Sequence, residues 1–278
     1  MQKVGFSLQS SYGVPMADVL RLLRDIGFHA VSPGWKRDEE LDVLLNTAAR
    51  CGLCVQSLHG PLRGLPAMWS RDTTCAAPLL LDFLDAADAC AAYGIPVLVV
   101  HSWTGLDYTF QKSELYFDNF NTLVEHAHSK HIQIAFENLE GPEYLAALMD
   151  HYRDDPAVGL CWDSGHECCY TPSWDFLRDY GARLLMTHLN DNLGITDPNG
   201  RLQGTDDLHL LAYDGIADWS HLVSRLKQAK KQEILNFELK IRPKGDRCKL
   251  DLYSKLPLEQ YLTMAYRSAC RVAETYFE

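Results

Sequence analysis

Absences narrow the options for this chain before any motif does. No apolar run approaches the roughly 20 residues needed to cross a bilayer. The amino terminus, MQKVGFSLQSSYG, lacks the basic start, long apolar stretch and small-residue cleavage site of a signal peptide. A cytoplasmic protein with no membrane partner is therefore expected. No G-x-G-x-x-G follows a strand pattern, which weakens a dinucleotide-binding reading. Low-complexity segments are missing too, and the only repeat is an alternation of short apolar runs with helical stretches. Basic residues are in deficit, 26 against 37 acidic, for a net charge of −11. That argues mildly against a surface built for nucleic acid all over, though not against a local basic groove.

Cysteine is not scarce, but nine cysteines without a secretory signal point to reduced thiols and not to a disulfide framework. Cys51 and Cys54 form a C-x-x-C. That motif acts at the start of a helix, where the dipole lowers a thiol pKa. Here it falls where a helix pattern ends and a strand pattern begins, so a redox role is disfavoured. The vicinal Cys168 and Cys169 read more simply as small loop residues than as soft-metal ligands.

What is present is length, a 47% hydrophobic composition and a regular pattern. Strand patterns fall at 3–8, 29–35, 53–60, 95–103, 132–139, 158–166, 184–191 and 233–240. An amphipathic helical stretch follows each of them, with glycine near several helix ends. Regular alternation implies a parallel sheet with helical crossovers. Eight units in 278 residues fit a closed α/β barrel, a single (β/α)8 TIM barrel over 1–278, better than an open doubly wound sheet.

In such a barrel the chemistry lies where the strands end. The third predicted strand ends at His59, the fourth at His101 and the fifth at Glu137. The sixth, GLCWDSGH, ends at Asp163 and His166. The seventh ends at His188 and the eighth at Glu238, while the loop after the seventh adds Asp207 and His209. Any one of these has a structural explanation: a hydrogen-bonded histidine, a cap from Asp163, a Glu238–Lys240 pair. Nine carboxylates and imidazoles at one mouth would crowd acceptors and negative charge unless cations were present. Mixed histidine and carboxylate suits Zn²⁺ or Mn²⁺ better than Ca²⁺ or Mg²⁺, with room for more than one ion. A second histidine-rich stretch, His126, His128 and His131, ends a helix on the opposite side, where the dipole favours it.

These motifs resemble the xylose-isomerase-like TIM-barrel superfamily, from SLHGP (57–61) to NFELK (236–240). The superfamily holds sugar and sugar-phosphate isomerases and epimerases alongside endonuclease IV-type enzymes. The isomerase resemblance implies one divalent metal on Glu137 of FENLEG, Asp163 of CWDSGH, His188 of THLNDN and Glu238 of FELK. It further implies that Glu137 and Glu238 are catalytic, moving a proton next to a carbonyl through a metal-stabilised enediolate. His166 would then contact substrate oxygens, with His101, Trp35 or Trp103 as further contacts, plain packing at the mouth being an equal alternative for the two tryptophans. The endonuclease IV resemblance implies three zinc ions on all nine residues and water attack on a phosphodiester. In that reading His59, His101, His166, Asp207 and His209 complete extra metal sites.

The run DLHLLAYDGIADW (207–219) resembles the isomerase relatives, although Ala212 replaces their usual proline and Leu210 an arginine of the better understood epimerases. The loop after the first strand, QSSYGVP, has no basic residue, and PLRGLPAMWSRD offers only Arg63, Arg71 and Trp69 to grip DNA. A sugar isomerase or epimerase is therefore the leading expectation, with DNA a weaker partner than a small sugar. The basic run 240–255, with Arg242 and Lys244, admits a phosphorylated sugar or a plain solvated loop. Dimers are common among the relatives, so a homodimer is admitted. A sugar-binding protein without catalysis is the third alternative; it would have no need of Glu137 and Glu238 in a metal-bound arrangement.

Overall fold

The computed structural model describes residues 3–37, 39–242 and 250–278. Its strands are β1 (Lys3–Ser7), β2 (Ala30–Ser32), β3 (Cys54–Val55), β4 (Leu58–His59), β5 (Val97–His101), β6 (Gln133–Glu137), β7 (Val158–Asp163), β8 (Leu184–His188) and β9 (Ile234–Phe237). The helices between and after them are α1 (Met16–Ile26), α2 (Glu39–Arg50), α3 (Thr73–Tyr93), α4 (Asp118–Ser129), α5 (Pro142–His151), α6 (Ser164–Cys169), α7 (Phe176–Tyr180), α8 (Trp219–Leu226) and α9 (Leu258–Phe277). Every strand pairing is parallel. One sheet runs β3-β2-β1-β9 and the other β4-β5-β6-β7-β8. They meet at two parallel bridges, Gly34 with His59 and Leu189 with Phe237, so the strands form the ring of a TIM barrel.

The third predicted strand is broken in two. Cys54–Val55 pairs with β2, whereas Leu58–His59 pairs with β5. Gln56 and Ser57 lie at the break, and the Gln56 side chain donates to the Ile234 carbonyl across the barrel. Polar filling continues there: Asn236 donates to Ser7 Oγ at 2.7 Å. Gly5 makes room for it, since a Cβ at that position would lie 2.8 Å from Asn236 Oδ1.

Strand alternation explains why apolar strands end in charged residues. Val97, Val99, Ala135, Cys161 and Met186 form a small cluster of their own, an interior layer of the barrel. Leu98, Val100, Ile134, Phe136, Leu160 and Trp162 join the larger cluster that packs against the helices. Side chains on one face recur every second residue. Two residues beyond the interior layer therefore stand His101, Glu137, Asp163 and His188, still facing inward but at the open mouth.

Local signals fix the helices around the ring. Pro15 precedes α1, whose Val19, Leu20 and Leu23 are buried at helical spacing. Gly27 ends it at φ 124°, with no space for a Cβ against the Tyr266 ring. No helix among the described residues is long and apolar enough to cross a membrane.

Candidate metal centre at the barrel mouth

Glu137 is the hub. Its Oε2 lies 3.0 Å from His59 Nε2 and 3.4 Å from His101 Nε2. Its Oε1 lies 3.1 Å from His188 Nδ1 and 3.3 Å from His166 Nδ1. His188 Nδ1 also lies 2.9 Å from Glu238 Oε2. On the far side, Asp207 Oδ1 is 2.9 Å from His209 Nε2 and 3.5 Å from His166 Nε2. The structure thus brings together all nine predicted mouth residues.

They fall into three main groups whose ligand atoms lie within 4.8 Å of one another: His59, His101 and Glu137; Glu137, Asp163, His188 and Glu238; and His166, Asp207 and His209. Cys161 Sγ joins a further such group with Glu137 and His188. Carboxylate oxygens and an imidazole at this spacing can close around an ion held at about 2.0–2.2 Å, so the residues fit a divalent metal.

The backbone presets the imidazoles. His59, His166 and His209 each direct Nδ1 at a carbonyl, that of Gly60, Asn138 and Glu238 respectively, at 2.9–3.0 Å. Donation from Nδ1 leaves Nε2 as the lone-pair nitrogen facing the cluster, the tautomer a metal requires. His209 holds a left-handed φ of 49°, uncommon without glycine. Paired backbone hydrogen bonds between Asp191 and Leu210 pin that turn.

The charges depend on one another. Burial alone would raise the Glu137 pKa, but His188, His101 and His166 outweigh it and hold the carboxyl well below its ordinary value. Burial also opposes ionisation of Glu238 and Asp207, and neighbouring histidines again prevail. Asp163 is pushed up, by burial first and then by Glu137 and Glu238. Burial disfavours charge on His166 and His188, yet adjacent acidic groups raise both well above the usual imidazole range. His101, where burial prevails, drops to about 4. Protons on His166 and His188 therefore supply positive charge that a metal ion would replace.

His166 is not at a strand end. β7 stops at Asp163, whose side chain accepts from the His166 backbone N–H at 2.7 Å and caps α6. The cap turns the chain, and His166 enters the mouth from the first turn of a short helix. Trp35 lines the mouth cavity with Arg242. Trp103 does not; it stacks on Tyr144 at 4.1 Å and donates to the Gly105 carbonyl. Lys244 lies outside the described residues. Away from the mouth, His126 pairs with Asp88 at 2.8 Å and His128 approaches Asp155 at 3.5 Å.

Two asparagines escaped the sequence reading. Asn190 Nδ2 donates to both Asp163 oxygens at 3.1 Å. Asn138 locks the Asp163 backbone from both sides, donating to its carbonyl at 2.8 Å and accepting from its N–H at 2.7 Å. Their only sequence signal was position, inside FENLEG and THLNDN. Asp191 of the latter motif is an organiser: it accepts from Tyr213 N, Ala217 N and Trp219 Nε1, shaping the loop that delivers Asp207 and His209.

A parallel barrel with buried histidine–carboxylate groups at its mouth defines the class, and comparison defines the family. The chain belongs to the xylose isomerase-like TIM barrel family, whose model matches residues 20–255. It is 33% identical over 263 residues to the uncharacterized protein y4fM of Sinorhizobium fredii, covering 79% of each chain. Among solved structures it is similar to the IolI protein with a bound zinc atom, with a TM-score of 0.76, 18% identity and full coverage of both chains. D-psicose 3-epimerase in the presence of D-fructose superposes with a TM-score of 0.75 at 14% identity, again with full coverage of both. 3-Keto-D-glucoside 4-epimerase from E. coli gives 0.67 at 15% identity, over 96% of this chain and 99% of that one. At these identities the structural likeness establishes the fold.

Proposed function

We propose that this chain, as one barrel domain over 1–278, is a divalent-metal-dependent isomerase or epimerase of a sugar or sugar phosphate. The observation that carries the reading is the convergence of Glu137 and Glu238 on one imidazole, His188, beside Asp163, with both glutamates lining an open cavity. Glu137, Asp163, His188 and Glu238 would hold the ion, with zinc or manganese suited to this donor set. When bound, such a cation supplies Lewis acidity that stabilises negative charge developing on adjacent substrate oxygens.

The chain's own residues do the rest. Glu238 keeps 21% side-chain exposure and faces the cavity, so it can reach a proton on a substrate carbon; Glu137 would serve the opposite transfer. His166, His101 and Trp35 would orient substrate oxygens and the ring. The epimerase neighbours and the zinc of the IolI neighbour support the substrate class and the metal.

A second reading has one observation in its favour. The other two groups, His59–His101–Glu137 and His166–Asp207–His209, also have metal-ligand spacing. Three zinc ions would suit water activation at a phosphoester, abasic DNA included. Elemental analysis of protein purified without chelator separates the two. One tightly bound ion per chain supports the isomerase reading. Two or three zinc ions favour phosphoester hydrolysis and make abasic-site DNA the next substrate to try.

A further inference from the structure

The mouth cavity is larger than a metal-bound sugar needs. It measures about 1230 Å³, whereas pockets for drug-sized ligands run about 300–1,000 Å³, and a monosaccharide is smaller than those ligands. Its two ends differ in chemistry. One end is the histidine–carboxylate cluster. From there the cavity passes Gly34 and Trp35 and continues between α1 and α2, against Met16, Leu20, Leu41 and Leu44.

The walls along α1 and α2 are apolar, while the polar residues of the same cavity, Ser10, Ser11, Lys36 and Arg242, stand in the loops around them and Glu40 in the first turn of α2. The Thr47 hydroxyl donates to the Val43 carbonyl of its own helix at 2.7 Å, and Glu40 pairs with Lys36 at 3.3 Å. At its rim stand Val14, 46% exposed, and Val43, 62% exposed. These two valines carry the apolar wall of the cavity out to the surface.

We infer that the substrate is a sugar that keeps a ring carbonyl beside the reacting carbon and carries an apolar appendage, an aryl or alkyl group joined as a glycoside. The sugar head sits at the cluster, and the appendage lies along the α1–α2 arm against Met16, Leu20 and Leu44. The inference rests on the sugar reading given above and adds a selectivity to it. A free monosaccharide would leave the arm filled with water, while an aryl group would displace that water from apolar walls.

Calorimetric titration of the full, zinc-loaded chain tests this with methyl and phenyl glycosides of glucose, galactose, mannose and fructose, and with benzyl alcohol as the appendage alone. For whichever sugar binds, the phenyl glycoside is expected to bind at least about tenfold more tightly than the methyl glycoside. Val14→Glu and Val43→Glu, both at exposed positions, should erase that ratio without weakening the methyl glycoside. Equal affinity of methyl and phenyl glycosides overturns the inference and leaves the sugar reading standing. Phenyl glycosides that bind no better than benzyl alcohol also overturn the inference, whereas the sugar reading itself falls only if the free sugars, titrated alongside, fail to bind as well.

Discussion

Asn190→Ala isolates the role assigned to Asp163. Asn190 is fully buried, and its side-chain amide spans both oxygens of a carboxylate that is itself fully buried. Alanine removes the donor. A hydrogen bond to a charged group is worth about 1.5–3 kcal/mol, and loss of an outer-shell partner weakens metal binding by about 10–100-fold. That range corresponds to about 1.4–2.8 kcal/mol. Because a metal binding only the native state stabilises it by mass action, the zinc-induced rise in Tm should shrink by roughly 3–11 °C. The assay is zinc competition against a fluorescent chelator, paired with melts of metal-free and zinc-loaded protein. Zinc affinity within twofold of the parent, with a lowered metal-free Tm, would refute the reasoning, since Asn190 would then serve folding alone.

Gly165→Ala should mimic that variant, because a Cβ there would meet Asn190 Oδ1 and push the amide away from Asp163; the same zinc competition checks it. Arg225→Met should cost about 3–5 kcal/mol in urea unfolding with zinc affinity unchanged, since Arg225 pairs with the buried Glu167 at 2.6 Å and also with Asp175. Burial opposes the Asp175 charge, but the Arg178 backbone N–H and Arg225 hold its pKa below the ordinary value. That stabilisation is present above about pH 4 and lost as acid titrates the folded carboxyl, so Arg225→Met should show a shallower loss of stability below pH 4. Zinc binding at pH 7 should release protons: burial disfavours charge on His166 and His188, yet the surrounding acidic groups keep both protonated in the metal-free protein. Titrations in two buffers of different ionisation enthalpy would show this, with affinity falling as pH falls; zero proton release would contradict it.

The barrel was legible because its signal is repeated. Each apolar run is followed by an amphipathic stretch, and the inward rows Val97–Val99–His101 and Cys161–Asp163 carry the period of a strand to its last residue. Six of the nine mouth residues, His59, His101, Glu137, Asp163, His188 and Glu238, were legible for the same reason, since a strand end is a place that alternation can locate. Breaks in that rule were not. Gln56 and Ser57 divide one apolar run between two neighbouring strands, which depends on partners that the run does not reveal. His166 read as strand because the helix that carries it is only six residues long and begins at a capping aspartate. Asn138 and Asn190 are neutral amides whose value lies in which carboxylate they face, a contact across 25 or more residues of sequence. Trp103 could equally have met substrate or packed, and a ring stack with Tyr144 decides it.

The most direct test of the central claim is solvent deuterium uptake. Metal-loaded protein in heavy water would be incubated with a panel of ketoses, their phosphates and their glycosides, and the sugars read by NMR and mass spectrometry. Deuterium should enter at the carbon next to a carbonyl in at least one sugar. Glu238→Gln should abolish that exchange, as should removal of the metal. Absence of exchange across the panel, with phosphoester hydrolysis by the same preparation, would contradict the account and assign the three groups to a multi-zinc hydrolase.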